Sequence, residues 1–198
     1  IEKEALRMKR LLDDLLIITK IESDEHVHPT KKVDLLHTLK IVEDNFEQSL
    51  KKNNISIEKV YDDENLYVLG NQDELIQVFS NIIENSIKYA NENSKIRIKL
   101  RILEDKNNDH SVNRLFQYNY AIIELIDESE GIPKKHLHRL TERFYRVDKA
   151  RSKDKGGTGL GLTIVKHILN KHRGSLDIES EINKGSIFTI KIPVAPIT

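Results

Sequence analysis

The stretch "AIIELIDESEGIP", from Ala121 to Pro133, joins a run of apolar and β-branched residues to a polar turn. A run this apolar is typical of a strand whose sheet is covered by other elements. The run stops at Asp127, and a buried carboxylate is costly unless a hydrogen-bond donor compensates it. That donor is either a backbone amide of the following turn or a bound ligand, and the sequence leaves both open.

The segments before this strand predict further strands of the sheet and helices that cover it. Residues 95–103 ("KIRIKLRIL") alternate strictly, which indicates a strand with one covered face and one wet face. Residues 72–90 have the spacing of a strongly apolar helix, and short strands are expected at 55–60 and 66–70. The apolar faces of the alternating strand and of an earlier helix are Ile96, Ile98, Leu100 and Ile102, and Leu35, Leu39, Val42, Phe46 and Leu50.

The segments after the strand complete the predicted fold. In residues 156–172 ("GGTGLGLTIVKHILNKH") a glycine-rich turn opens a helix, and two strands are expected at 174–180 and 186–193. Residues 104–114 have no periodicity, so we expect a long hairpin loop there. Strand pairs with helices packed on one face predict an α+β two-layer sandwich with a mixed sheet.

Composition excludes several classes of function. Lys plus Arg and Asp plus Glu number 32 each, so no overall charge attracts nucleic acid or an anionic membrane. There is no cysteine, which excludes disulfides, thiol catalysis and cysteine-ligated zinc. No apolar run approaches the roughly 18 residues that would suggest a membrane span. We expect a cytoplasmic domain that makes no direct contact with a membrane.

The N-terminal segment predicts a helix that needs a partner. Its apolar positions follow a spacing of four and three, and a lone helix cannot bury such a stripe. We therefore expect a bundle helix at 1–23, a linker at 24–32 and one domain at 33–195, with folding of the helix onto its own domain as the alternative. Since there is no initiator Met, we also expect a fragment. The stripe consists of Ile1, Ala5, Met8, Leu12, Leu15 and Thr19, widened by Leu11, Leu16 and Ile18.

Three groups of polar residues could carry chemistry, and the first lies on the apolar helix. Asn81, Asn85 and Lys88 are spaced four and three, so they form one polar stripe. Amide oxygens suit magnesium, and a lysine supplies a positive charge for phosphate. The alternative is the solvated edge of an amphipathic helix.

The second group is the glycine stretch Gly156, Gly157, Gly159 and Gly161, which precedes a helix. Glycines there allow the backbone to approach an anion, and the amides at a helix N-terminus bind phosphate. The spacing is neither that of a dinucleotide fold nor that of a P-loop. A flexible loop, or an ordinary helix start capped by Thr158, is the alternative.

The third group mixes basic and aromatic residues in the segment 140–155. Phe144 and Tyr145 lie among six cations, which favours a lid over a polyphosphate, since the neutral net charge argues against nucleic acid. A solvated charged loop remains the alternative. The cations are Arg143, Arg146, Lys149, Arg151, Lys153 and Lys155.

The order of these signals resembles the ATP-binding catalytic domain of sensor histidine kinases, which has the Bergerat or GHKL fold. Residues 139–152 and 156–167 are especially similar to phosphate-regulon sensor kinases, and residues 1–23 resemble the second helix of the dimerisation and phosphoacceptor hairpin. The matching motifs are "NIIENSIKY" for the asparagine box, "DESEGI" and "GTGLGL" for the two glycine boxes, "ERFYR" for the phenylalanine box and "KGSIFTIKIP" for the closing strand.

The resemblance implies roles around the phosphates of ATP. Asn85 would ligate magnesium with Asn81 as the supporting metal residue, Lys88 would contact phosphate, and Arg146 would steady the transferring phosphoryl group. Asn85, Lys88 and Arg146 are the expected catalytic residues, and their work is positioning and charge stabilisation. The other residues expected to line the phosphates are Lys149, Gly157, Thr158, Gly159, Leu160, Gly161 and Leu162.

The resemblance also implies roles around the base. Asp127 would accept a hydrogen bond from the adenine amino group, and Tyr89 would stack near the ring. Gly131 and Ile132 would form the floor of the base pocket.

One position distinguishes kinases from hydrolases in this superfamily. The gyrase, mismatch-repair and chaperone types carry a glutamate at the first asparagine-box position to activate water, and here that position is Asn81. The resemblance therefore implies a protein-histidine kinase.

Two departures from the family pattern qualify that expectation. The family's acceptor histidine is followed by an acidic residue, and none of the eight histidines here is, so the acceptor helix is expected to lie outside this chain. Ser129 occupies the position of the first glycine of its box. If that position needs a positive φ, serine would strain the turn by about 1–2 kcal/mol. A degenerate nucleotide-sensing module without phosphoryl transfer is therefore the alternative function.

The resemblance further implies partners. The intact protein would be a homodimer through its hairpin, attached to the bacterial inner membrane, and would pass phosphate to the receiver domain of a response regulator. We expect the fragment alone to be a monomer or a weak dimer.

Overall fold

The chain forms one five-stranded sheet, a small two-stranded sheet and five helices in the parts that can be described. The computed structural model describes residues 2–24, 26–61, 66–103, 119–147 and 157–196. The loop expected at 104–114 lies outside these residues.

The helices follow the predicted periodic segments, with one short addition. Helix α4 was not predicted, because its single turn is too short to give a periodic signal. The helices are α1 (Glu2–Ser23), α2 (Leu35–Lys52), α3 (Gln72–Tyr89), α4 (Lys134–Leu137) and α5 (Gly161–Lys171).

The main sheet is mixed, as predicted. Its strand order is β2-β4-β5-β7-β6, in which β2 and β4 are parallel and the other pairs are antiparallel. β5 is the central strand, which explains its apolar composition. The strands are β1 (Lys32–Asp34), β2 (Ser56–Val60), β3 (Tyr67–Leu69), β4 (Lys95–Leu103), β5 (Tyr120–Asp127), β6 (Ser175–Glu181) and β7 (Gly185–Pro193).

Helix α3 forms the centre of the helical layer. Its N-cap, Asn71, accepts a hydrogen bond from the Glu74 amide, which satisfies one of the free donors of the first turn. Its apolar face is fully buried against the covered face of the sheet. The predicted burial of the alternating strand holds at Ile96 and Ile98 but is wrong at Ile102, which is 42% exposed near the end of β4.

The segment predicted as a strand at 66–70 joins a different sheet. β3 pairs with β1, which the sequence analysis does not predict, in a separate antiparallel ribbon. With three residues each, neither strand is long enough to produce a reliable alternation. The ribbon leads directly into α2 and α3.

Helix α1 packs against the main core with one side of its apolar stripe, at Ile18, and leaves much of the rest of the stripe exposed. Ile18 and Ile21 are buried in the main core, whereas Met8 and Leu12 of the stripe are 64% and 61% exposed. The helix therefore folds onto the domain and still presents an apolar stripe to solvent. No helix of the described residues is long and apolar enough to cross a bilayer.

Candidate functional site

The carboxylate that ends β5 is buried and paired. Asp127 is 3% exposed; its Oδ1 accepts from the Ser186 amide at 3.1 Å, and its Oδ2 accepts from Ser86 Oγ at 3.2 Å. Burial raises the pKa of Asp127 above its usual range, and hydrogen bonds from Ser129, Ser186 and Ser86 oppose part of that rise. The amide that compensates Asp127 thus comes from β7 as well as from the following turn.

The turn after Asp127 does not carry the strain expected at Ser129. Ser129 is not among the residues with positive φ, whereas Gly131 has φ 72°. A β-carbon at Gly131 would overlap the Glu181 carbonyl group, so glycine is required two residues later than the resemblance suggested. Ser86, Asp127, Ser129 and Gly131 are called the aspartate corner below.

Helix α3 reaches the glycine loop through its polar stripe. Asn81 Nδ2 donates to the Gly161 carbonyl group at 3.2 Å, and Asn81 Oδ1 accepts from Gln77 at 3.1 Å. The half-buried carboxamide of Asn85 makes no hydrogen bond within the described part of the chain. Asn81 is therefore engaged by the protein, while Asn85 keeps an oxygen available for a cation.

Two cationic side chains converge beside Gly157. A β-carbon at Gly157 would lie 2.5 Å from Lys88 Nζ and 3.9 Å from Arg146 Nη2. Arg146 Nη2 is buried and has no hydrogen-bond partner among the described residues, an arrangement that an anion would satisfy. Asn85, Lys88, Arg146 and Gly157 are called the cation side below.

Tyr89 and Ile132 flank these groups. Tyr89 is 40% exposed, and Lys88 Nζ lies 5.4 Å from its ring centroid. The half-buried Ile132 donates its amide to Ser180 Oγ at 2.8 Å. Lys149 lies outside the described residues, together with Arg151, Lys153, Lys155 and Gly156.

The glycine loop enters α5 without a side-chain cap on that helix. Thr158 Oγ1 accepts from the Leu160 amide at 3.3 Å, so Thr158 stabilises the turn before the helix and is not its N-cap. Leu160 is fully buried and Leu162 packs against the core, which leaves only their backbone groups for a ligand. The Gly159 carbonyl group accepts from the Phe144 amide at 2.9 Å.

Helix α1 contacts both the basic segment and the glycine loop. Thr158 Oγ1 donates to Asp14 Oδ2 at 2.7 Å, and Glu22 forms an ion pair with Arg143. Burial raises the pKa of Asp14, which the hydrogen bond from Thr158 partly opposes. An acidic side chain thus lies against the residue that the resemblance assigns to phosphate.

Sequence reasoning missed the serines that hold Asp127. Ser86 is the one with a detectable signal, because it continues the apolar spacing of Leu75, Phe79 and Ile82 and is 1% exposed. A polar residue at a core position needs a buried partner. Ser129 lies in a turn and Ser186 directly follows one, and no such pattern marks either position.

The family follows from comparison with known proteins. Residues 70–196 match the model described as "Histidine kinase-, DNA gyrase B-, and HSP90-like ATPase". Sensor histidine kinase WalK of Bacillus subtilis (strain 168) is 33% identical over 192 residues, which are 97% of this chain and 29% of WalK. The phosphate regulon sensor protein PhoR of Pseudomonas aeruginosa is 36% identical over 199 residues, 99% of this chain and 41% of PhoR. The chain thus spans less than half the length of these relatives.

Solved structures of histidine kinases have a similar fold. The catalytic domain of histidine kinase ThkA is 26% identical with a TM-score of 0.65, over 84% of this chain and 98% of that one. ShkA, in complex with AMPPNP, shares the fold with a TM-score of 0.74 at 19% identity, over 96% of this chain and 36% of that one. The order of the motifs, the sheet topology and these matches lead to one conclusion: the chain belongs to the histidine kinase-, DNA gyrase B- and HSP90-like ATPase family.

Proposed function

We propose that this chain binds ATP with magnesium and transfers the γ-phosphoryl group to a histidine on a separate helix, for onward transfer to an aspartate of a response regulator. One observation carries the proposal: α3 contacts both glycine boxes. Its Ser86 donates to Asp127, its Asn81 donates to Gly161, and its Lys88 lies beside Gly157. A single helix therefore fixes the distance between a base-reading acceptor and a phosphate-binding side.

In this proposal the aspartate corner reads the base. Asp127 accepts from the adenine amino group, and Gly131 and Ile132 form the floor beneath the ring. The carboxylate suits this role because a charged acceptor makes a stronger hydrogen bond than a neutral one. Tyr89 is exposed enough to lie against the ring.

The cation side then holds the phosphates. Lys88 and Arg146 neutralise phosphate oxygens, and the backbone of the glycine loop wraps the same groups. The donor set fits magnesium, because the unengaged carboxamide oxygen of Asn85 is a hard ligand and Asn81 orients the loop beside it. When bound, the ion would spread the negative charge of the phosphates. Lys149 is proposed as a further phosphate contact.

The position of Asn81 favours transfer over hydrolysis. The carboxamide is not a base, and both of its ends are occupied by Gln77 and Gly161. Without a base to activate water, a histidine nucleophile is the better acceptor. None of the eight histidines of this chain is followed by an acidic residue, so we propose that the acceptor is on another segment.

The division of the chain and its assembly are also proposals. Residues 1–23 would be a hairpin helix, 24–32 a linker and 33–195 the catalytic domain. The exposed stripe of α1 would pack in the hairpin dimer of an intact, membrane-attached protein; it includes Leu6, Met8, Leu12, Leu15 and Leu16.

The direct test supplies the missing acceptor. The chain is incubated with labelled ATP, magnesium and a helical hairpin fragment that carries a histidine followed by an acidic residue. We expect acid-labile, alkali-stable label on the fragment, and none when its histidine is replaced by glutamine. Saturable ATP binding with no transfer under any of these conditions would favour the degenerate sensing module.

A further inference from the structure

Two consecutive backbone amides in the turn after β5 are held by serine hydroxyl groups. The Gly131 amide donates to Ser129 Oγ at 3.3 Å, and the Ile132 amide donates to Ser180 Oγ at 2.8 Å. One serine belongs to the turn itself and the other to β6. The backbone that would lie beneath the base is therefore anchored at two successive points.

Ser180 connects this backbone to the carboxylate. A serine hydroxyl donates once and accepts up to twice. Ser180 Oγ donates to the Gly185 carbonyl group at 2.7 Å, accepts from Ile132, and lies 3.0 Å from Ser186 Oγ, so its capacity is filled. The Ser186 amide in turn donates to Asp127 Oδ1. The β6–β7 hairpin thus fixes both the floor and the acceptor.

Ser129 makes the corresponding connection from the turn. It is 4% exposed and forms an antiparallel bridge with Ala90, just after the end of α3. Its hydroxyl accepts from Gly131, and hydrogen bonding from Ser129 is one of the factors that lower the pKa of Asp127. A glycine, which the family has at this position, has no hydroxyl group for these side-chain contacts and would keep only the backbone hydrogen bond to Asp127.

We propose that Ser129 and Ser180 are positioning residues for adenine recognition, which hold the Gly131–Ile132 backbone and the Asp127 carboxylate in register with each other. The proposal rests on ATP being the substrate. On this proposal, the serine that replaces the family's glycine at position 129 is favourable, because its hydroxyl group restricts a turn that glycine would leave more flexible.

The test compares ATP with inosine triphosphate, which has an oxygen in place of the adenine amino group. Dissociation constants are measured by calorimetry for the unmodified chain and for Ser129→Ala, Ser129→Gly, Ser180→Ala and Ser180→Thr. Ser94→Ala is the matched control, because Ser94 is a buried serine whose hydroxyl group has no hydrogen-bond partner in the described residues. Thermal unfolding is followed in parallel.

We expect Ser129→Ala, Ser129→Gly and Ser180→Ala to weaken ATP binding about fivefold, the typical effect of one lost hydrogen bond. Binding of inosine triphosphate should change by less than a factor of about two, since it cannot use the Asp127 acceptor in the same way. Ser180→Thr keeps the hydroxyl group and should keep the preference for ATP, as should Ser94→Ala. Ser180 is half-buried, so its variants carry the test even if a change at Ser129 prevents folding.

Three results would overturn the inference. Unchanged binding in the alanine variants would mean that the serines serve only the fold. An equal loss for both nucleotides would mean general loosening of the domain. No saturable binding of either nucleotide to the unmodified chain would overturn the proposed function together with this inference, and is thereby distinguished from the first two.

Discussion

The aspartate corner and the cation side are the two parts of the proposed site, and they differ in how their buried polar atoms are satisfied. Both oxygens of Asp127 accept hydrogen bonds from serines, and the carboxylate is buried. Across the site, Arg146 Nη2 is buried without a partner among the described residues, and Lys88 Nζ lies near it beside Gly157. A rigid corner suits recognition of a neutral base, and a buried Arg146 nitrogen without a partner in the described residues suits an anionic ligand.

Glycine substitutions should separate the two regions most strongly. Gly131→Ala forces a positive φ and a backbone overlap, so it should lower the free energy of unfolding by at least about 2 kcal/mol. Gly157→Ala meets only the flexible end of Lys88, so it should change that free energy by less than about 0.5 kcal/mol while weakening ATP binding. Urea denaturation of both variants checks this, and equal destabilisation would contradict the comparison.

Removal of the Arg146 guanidinium should affect transfer more than binding. Arg146→Ala is expected to slow phosphoryl transfer to an added acceptor hairpin by about 100-fold, because charge develops on the phosphoryl group in the transition state. Single-turnover rates and ATP affinity are measured together. Arg101→Ala, on an exposed arginine paired with Glu124, is the charge-matched control. A loss confined to affinity would place Arg146 in ground-state binding only.

The aspartate corner should show the opposite pattern. Asp127→Asn keeps the shape but places an amide where a charged acceptor is needed, so ATP affinity should fall by about 30-fold. Inosine triphosphate should lose far less. Competition binding with both nucleotides decides the matter, and equal losses would show that Asp127 serves the fold alone.

A pH titration tests the contact that joins α5 to α3, the two helices that carry parts of the proposed site. His172 donates from Nδ1 to the Ile168 carbonyl group and accepts at Nε2 from the Asn71 amide, which ties the end of α5 to the start of α3. Burial lowers the pKa of His172, so the unfolded chain takes up this proton first as the pH falls.

The free energy of unfolding should therefore decrease below about pH 6.5, with a contribution from this group of at most about 1.4 kcal/mol per pH unit. His172→Gln should remove that part of the slope. Denaturation curves recorded between pH 7.5 and about 5.5 measure how the free energy of unfolding changes with pH. An unchanged slope in His172→Gln would show that the group does not titrate in this range.

The smallest expected effect concerns the contact between α1 and the glycine loop. Asp14→Asn keeps an acceptor for Thr158 Oγ1 but removes a negative charge near the cation side, so ATP should bind about threefold more tightly at low salt. The gain should vanish for adenosine. A gain that persists with adenosine would mean that the substitution acts through packing of α1.

The periodic elements of this fold could be predicted from the sequence, and several contacts could not. Helix α3 and strands β4 and β5 produce clear repeats because each faces one core. The docking face of α1 was not predictable, because Ile18 and the exposed Leu12 have the same apolar character and only the tertiary partner decides between them. The site motifs were predictable as residue types, whereas the serines that orient Asp127 lack a pattern beyond Ser86 on an apolar face.

The turn at Ser129 illustrates a feature that could not be predicted from the sequence, the backbone conformation within a turn. A glycine-box position filled by serine suggested strain, yet the left-handed residue is Gly131, two positions later. Sequence spacing alone does not assign φ within a turn, because neighbouring residues can share the bend in several ways.

The measurement that tests the account most directly is the affinity of the unmodified chain for ATP and for inosine triphosphate with magnesium present. Since the proposed role of Asp127 is to accept from the adenine amino group, we predict saturable ATP binding at micromolar to sub-millimolar concentration. Inosine triphosphate should bind at least about tenfold more weakly. Equal affinity for the two nucleotides, or no saturation with ATP, would contradict the assignment of the aspartate corner as the base-reading part of the site.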